Sequence, residues 1–188
     1  ELSKLLAKGI IKSYKYADIV TASNVFAHSN NLEEIAKAAF ELLKKDGVFI
    51  IEVQYLLDTI KDLTFDNIYH EHVNYWSVIS LKNFFSRLGY YVVNVEHIDT
   101  HGGSIRVYIE NTCNNLSSNV DTFIKNENEF GLNKYQTYLD FADKVEQAKL
   151  NVVRNIKNLK NKGLTLIGYG SPAKATTSLN YYGITSNE

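Results

Sequence analysis

An apolar run, a loop, an amphipathic helix and a second apolar run follow one another between Asp18 and Val53, and no other feature limits the fold as tightly. Asp18-Ile19-Val20-Thr21-Ala22 reads as a buried strand. Asn24 to Asn31 reads as a loop. Asn31 is placed to cap a helix from Leu32 to Lys45, with Glu33 and Glu34 in the first turn, where the dipole favours anions. Leu32, Ile35, Ala39, Leu42 and Leu43 recur at helical spacing. Asp46-Gly47 is the expected stop. Val48 to Val53 then reads as an apolar strand with Glu52 near its end. An apolar strand after a helix suggests a parallel sheet covered on both faces. Its crossover should be right-handed.

Further on, Ser80 is the expected cap of a short helix carrying Leu81, Phe84, Phe85 and Leu88, stopped at Gly89. Tyr90 to Val95 reads as a strand. In Ser104 to Glu110, Ile105, Val107 and Ile109 alternate with Arg106, Tyr108 and Glu110, so one face is apolar and one wet. His101-Gly102-Gly103 joins these two strands. From Asn114 to Asn133 the chain is polar and Asn-rich, and reads as a boundary. A helix from Tyr135 to about Leu159 should bury Tyr138, Ala142, Val145, Val152, Ile156 and Leu159. Gly163 ends it. Leu164 to Ile167 reads as a strand, and Gly168-Tyr169-Gly170-Ser171-Pro172-Ala173-Lys174 leads into a helix. One βα step cannot complete a sheet, so this second unit reads as unfinished.

The 188 residues suit one domain or two small ones. A net charge of −1 provides no global field for nucleic acid or anionic lipid. No apolar run approaches the roughly 20 residues that span a bilayer, and no signal-peptide pattern opens the chain. The single cysteine, Cys113, cannot form an internal disulfide, which fits a reducing, cytoplasmic setting. The chain contains no Met and begins at Glu1, so it reads as an internal piece of a longer protein.

The chemistry concentrates in Ile68-Tyr69-His70-Glu71-His72-Val73-Asn74-Tyr75-Trp76-Ser77. On a strand, His70 and His72 would share one face, and Tyr69 and Glu71 the other. A histidine near its ordinary pKa accepts a proton at neutral pH, a carboxylate orients the ring, and Tyr69 can donate to a substrate oxygen. The plain alternative is a strand end with hydrogen-bonded histidines. A metal reading also exists, with His-x-His supplying two ligands and His28 or His101 a third, though no cysteine cluster supports it.

Ser23, Asn24 and His28 follow a parallel strand, where open α/β sheets bind ligands. Either they line a cleft, or Asn24 caps a turn and His28 packs under the helix. Gln54-Tyr55 follows the next strand and would share that rim. Arg106 is either a guanidinium for substrate or a solvated side chain. Gly168-x-Gly, with Pro172 at N1 and Lys174 in the first turn, has the form of a phosphate cradle.

Together these residues resemble the sugar C-methyltransferases of deoxysugar biosynthesis, which use S-adenosylmethionine on nucleotide-linked keto-sugars. The resemblance rests on Ala22-Ser23-Asn24-Val25-Phe26-Ala27-His28, on Asp66 to Tyr75, on His101-Gly102-Gly103-Ser104-Ile105-Arg106 and on Gly168 to Lys174. It runs from about Asp18 to Gly183. It implies that the fold is α/β: the back half of a class I, Rossmann-like methyltransferase sheet over 1–113, a polar linker over 114–134, and a long helix with the first βα unit of a C-terminal α/β domain over 135–188.

The resemblance also implies roles. His72 would be the base that makes an enolate, Glu71 and Tyr69 would hold the sugar, and His28 would sit near the enolate oxygen. Ala22 and Asn24 would meet the cofactor. Ser23, Tyr55, Arg106, Tyr169 and Lys174 would meet the substrate, the last two at its phosphates. The main S-adenosylmethionine loop, and a zinc-binding domain, would precede Glu1; no metal is expected within this chain. Ala175 replaces a glycine common in such enzymes, and Tyr181-Tyr182 makes the last helix end bulky. A non-catalytic nucleotide-sugar-binding homologue is the runner-up. A hydrolase with a metal on His28, His70 and His72 is a further alternative.

Overall fold

The computed structural model describes residues 2–170 and 172–185; Glu1, Ser171 and residues 186–188 lie outside the described residues. Helix α1 (Lys4–Tyr14) leads into strand β1 (Ala17–Ser23), helix α2 (Leu32–Leu42) and strand β2 (Leu43–Gln54). Then follow α3 (Leu56–Lys61), α4 (Val78–Arg87), β3 (Tyr91–Ile98) and β4 (Ser104–Glu110). Helices α5 (Ser118–Phe130), α6 (Tyr135–Asn161) and α7 (Ala173–Tyr182) complete the fold. The sheet order is β1-β2-β4-β3, with β1 and β2 parallel and β4 antiparallel to both of its neighbours. The β1–α2–β2 unit and the mixed α/β character agree with the sequence reading.

Several boundaries differ. Helix α2 ends at Leu42, and Leu43 already pairs with Ala17. The pairing skips from Ala17↔Leu43 to Ile19↔Val48, so Asp46-Gly47 lies in an irregularity of β2 and not at a helix end. A Cβ on Gly47 would lie 3.0 Å from the Asp18 carbonyl oxygen and 3.2 Å from that of Ala17. The chain passes too close to its partner strand there for a side chain. Asn31 holds the N-cap position of α2 without a side-chain cap bond. β1 is an edge strand whose Ile19 is 56% exposed, so the two-sided burial expected of a parallel sheet is not realised there.

Helix α4 starts three residues earlier than expected. Ser77 is its cap: the Ser80 N–H donates to Ser77 Oγ at 3.1 Å, and the Ser77 N–H to Ser80 Oγ at 2.9 Å, a reciprocal pair. The 114–134 connection holds α5, which packs on β3 and α4 and buries Val120 and Glu127. On α6 only Val145 of the expected stripe is buried; Tyr138, Ala142 and Leu159 are exposed, and Val152 and Ile156 partly so. Leu164 to Ile167 form no strand, and Ile167 is 88% exposed. A strand needs a neighbour to pair with, and none of the described strands lies beside it. Pro172 stands at the N-cap of α7, not at N1.

One apolar core holds Phe49, Ile51 and Val53 of β2, Ile105, Val107 and Ile109 of β4, and Phe85 of α4. Phe26 is fully buried in it, with ring centroids 5.8 Å from Phe85 and 6.0 Å from Trp76. Burying such a ring is worth about 3–5 kcal/mol relative to alanine. The loop after β1 is therefore pinned two residues before His28. Tyr181 and Tyr182 pack on Phe65, at 5.4 and 5.7 Å. That bulky pair seats α7 against the turn that precedes the histidine run.

Candidate active site

A cleft opens at the carboxyl ends of β1 and β2. It encloses about 660 Å³ of space when the open solvent at its mouth is counted. Asn24, His28, Gln54, Tyr69, His72 and Lys174 are among the residues that line it, with Ala27 and Val53 as apolar wall. Asn24 adopts a left-handed conformation (φ 54°), and its N–H donates to the Glu52 carbonyl at 2.9 Å. That turn takes the chain from the edge strand toward the Phe26 anchor.

The histidine run is a turn, not a strand. The His72 N–H donates to the Tyr69 carbonyl at 3.0 Å. Tyr69 and His72, expected on opposite faces, therefore meet: their ring centroids are 4.4 Å apart, and Tyr69 OH lies 3.3 Å from His72 Nε2. His72 Nδ1 is 2.8 Å from the backbone oxygen of Asn67. A carbonyl only accepts, so Nδ1 carries the proton and Nε2 of the neutral ring keeps its lone pair. His28 closes the group, with its ring centroid 4.9 Å from that of His72. Asn74 holds the two loops together by donating from Nδ2 to the Ser29 carbonyl at 2.9 Å.

Electrostatics favour the neutral base. Burial lowers the His72 pKa below its usual 6.5, and the nearby charges of His28 and Lys174 push it the same way. The bond to the Asn67 carbonyl and the Glu71 carboxylate oppose them. At neutral pH the ring is ready to take a proton. Removing the Lys174 ammonium eases protonation, so Lys174→Ala should raise the His72 midpoint toward 6.5. An NMR titration of the His72 ring protons reads this directly. An unmoved midpoint would show that the Lys174 charge does not reach the ring.

Of the residues singled out in the sequence, His72, Tyr69, His28, Asn24, Gln54, His101 and Lys174 come together here. The others lie elsewhere. Glu71 and His70 are exposed beside the turn. Ala22 and Ser23 pair with Ile51 and Glu52 within the sheet, behind Asn24. Tyr55 is 2% exposed, because alternation along β2 puts it on the face of Phe49, Ile51 and Val53. Arg106 sits between Glu52 and Glu96 in register, with Nη2 3.0 Å from Glu52 Oε2 and Nη1 3.9 Å from Glu96 Oε2. Tyr169 is fully exposed outside the cleft. Among the described residues no three His, Cys, Asp or Glu side chains are grouped to hold a metal ion. The pairing of His28 with His72 thus lacks the third ligand that a metal hydrolase would need.

Asn67 and Asn74 had no assigned role in the sequence. The available signal was their position, one on each side of the histidine run.

Residues 5–95 match the model of a methyltransferase domain, and residues 99–188 match that of a C-methyltransferase C-terminal domain. The C-methyltransferase NovU of Streptomyces niveus is 33% identical over 174 residues, covering 92% of this chain and 41% of the relative. The chain belongs to a C-methyltransferase family. It spans about two fifths of the length of the curated relative that it matches. Methyltransferase membership implies S-adenosylmethionine as methyl donor. Among the described residues, no helix is long and apolar enough to cross a membrane.

Proposed function

We propose that this chain contributes the proton-transfer half of an S-adenosylmethionine-dependent C-methyltransferase acting on a nucleotide-linked keto-deoxysugar. The observation that supports it most is His72: a ring of depressed pKa, its tautomer fixed by the Asn67 carbonyl, and Nε2 unprotonated in a cleft beside His28 and Tyr69.

Carbon is a poor nucleophile until it loses a proton. In this reading His72 Nε2 takes the proton from the carbon next to the substrate's ketone, and the C–H electron pair becomes an enolate. His28 and Tyr69 stabilise the developing oxyanion, and such fixed donors are worth roughly 3–4 kcal/mol each. The enolate carbon is then the nucleophile, and its bond to the methyl would form as the sulfonium's C–S bond breaks and leaves a neutral thioether. When bound, the cofactor supplies an electrophilic methyl on a sulfonium. Asn24, at the carboxyl end of β1, fits as its contact, with Ala22 behind it. Lys174 faces the phosphates of the substrate. Glu71, exposed beside the turn, meets the outer part of the sugar. The setting is cytoplasmic.

The test uses the full-length protein, S-adenosylmethionine and a panel of nucleoside diphosphate-linked keto-deoxyhexoses. Mass spectrometry should show one added methyl on a sugar carbon. In deuterated buffer, deuterium should enter the carbon beside the ketone. A panel in which no member gains either label would remove this reading.

A further inference from the structure

Asn67 is fully buried, and neither its Oδ1 nor its Nδ2 has a hydrogen-bond partner among the described residues. Its main chain is satisfied: the N–H donates to the Thr64 carbonyl at 3.1 Å, and the carbonyl takes the His72 Nδ1 proton at 2.8 Å. The residue forms part of the wall of the cleft that holds His72 Nε2. An orphaned buried amide costs about 1–3 kcal/mol per group, so each one in a folded protein calls for a reason.

The chemistry of the orphan restricts its partner. Nδ2 asks for an acceptor and Oδ1 for a donor, and exchanging the two by an amide flip leaves the demand unchanged. A phosphate or ionised carboxylate has no proton to donate. An ammonium has no lone pair to offer. A hydroxyl has both, and a hydroxyl next to a ketone matches both ends of the amide at once.

We propose that the Asn67 carboxamide is a specificity-determining contact, receiving a neutral ring hydroxyl of the substrate next to the carbon that faces His72. The proposal rests on the reading under Proposed function and adds an orientation to it. The uncharged ring lies inward at Asn67, and the anionic end lies outward at Lys174. The two jobs of Asn67 are separate. Its carbonyl fixes the base, and its side chain reads the substrate.

The experiment compares kcat/KM of the full-length protein for a nucleoside diphosphate-linked keto-deoxyhexose and for analogues that each lack one ring hydroxyl. A site built to bond a hydroxyl rejects the analogue without it, so wild type should lose at least about 100-fold on one analogue. Asn67→Leu should lower activity on the hydroxylated probe and leave that analogue nearly unchanged, shrinking the preference to about 3-fold or less. Should Asn67→Leu not fold, Asn67→Ser is compared in the same way, with an intermediate preference expected.

Two results overturn the proposal: a wild type indifferent to every hydroxyl, or an Asn67 variant that loses equally on all probes. The second would place the effect on the base through the backbone. Absence of methyl transfer by wild type to every probe is a different failure and would sink the underlying reading as well.

Discussion

His72→Asn should abolish methyl transfer while leaving substrate affinity close to wild type. The substitution is chosen for its geometry. An asparagine amide still donates to the Asn67 carbonyl where Nδ1 does now, so the turn keeps its internal bond. What disappears is Nε2, the one atom of the ring left with a lone pair. A positioned general base contributes typically about 10²–10⁴ in rate, and a loss of that size is expected here.

Solvent deuterium exchange at the substrate carbon should stop together with methyl transfer, because both need the same deprotonation. Residual activity should also lose its acid limb. In wild type that limb follows His72: the base must be neutral, so the rate falls as pH drops through a midpoint below 6.5. Exchange at the wild-type rate in His72→Asn would move the base elsewhere, with His28 the next residue to test. A drop in affinity without a drop in the chemical step would recast His72 as a binding group.

Much of the scaffold was legible in local pattern. The run from Asp18 to Val53 announced β1, α2 and β2. The strict alternation of Ile105, Val107 and Ile109 announced β4, with all three now fully buried. Wherever a strand was read without its partner the reading was weaker. Leu164 to Ile167 has strand composition and no neighbour among the described strands. The histidine run has strand alternation, but the His72-to-Tyr69 backbone bond curls it, and Asn74 ties it to a loop 45 residues earlier. No local pattern carries that tie.

The site was legible in the same uneven way. Residue type pointed to His72, Tyr69 and His28, whereas Tyr55 and Arg106 were judged by proximity in sequence. For those two, strand alternation and cross-strand charge decide the direction: Tyr55 goes into the core, and Arg106 goes to Glu52. Asn67 was masked by its type, since asparagine in a loop usually signals a turn.

Residues 114–134 misled for an opposite reason. Asparagine-rich composition suggested a linker, yet Val120, Phe123, Ile124 and Glu127 recur at helical spacing and make the inner face of α5. One member of that stripe is a carboxylate, which breaks the apolar signal and also explains the packing. Glu127 is fully buried. Its Oε1 accepts from the Val78 N–H at 2.6 Å, and its Oε2 from the Ile79 N–H at 3.0 Å. These are the first two donors of α4, which the helix itself cannot satisfy. Ser77 takes the third through its side chain and the fourth, that of Leu81, through its carbonyl. The end of the helix is fully accounted for, and the dipole there favours a negative charge. Nearby, Tyr55 has its pKa pushed up, by burial first and then by the Glu127 charge.

Glu127→Ala would strip two buried donors at once. Leaving each unpaired costs about 1–3 kcal/mol, so a loss of roughly 2–6 kcal/mol is expected before any relaxation. Against a typical total of about 5–15 kcal/mol, that is a large fraction. Glu127→Gln keeps one carbonyl acceptor and should lose about half as much. Urea midpoints of the two variants measure this, and the order alanine, glutamine, wild type is the signature. Because α4 begins directly after Trp76, the histidine turn should loosen with it, and His72 should titrate closer to 6.5 in Glu127→Gln as the turn opens to water. Equal midpoints for alanine and wild type would mean that water reaches Val78 and Ile79 unaided, and that α5 is held to α4 by its apolar side chains alone.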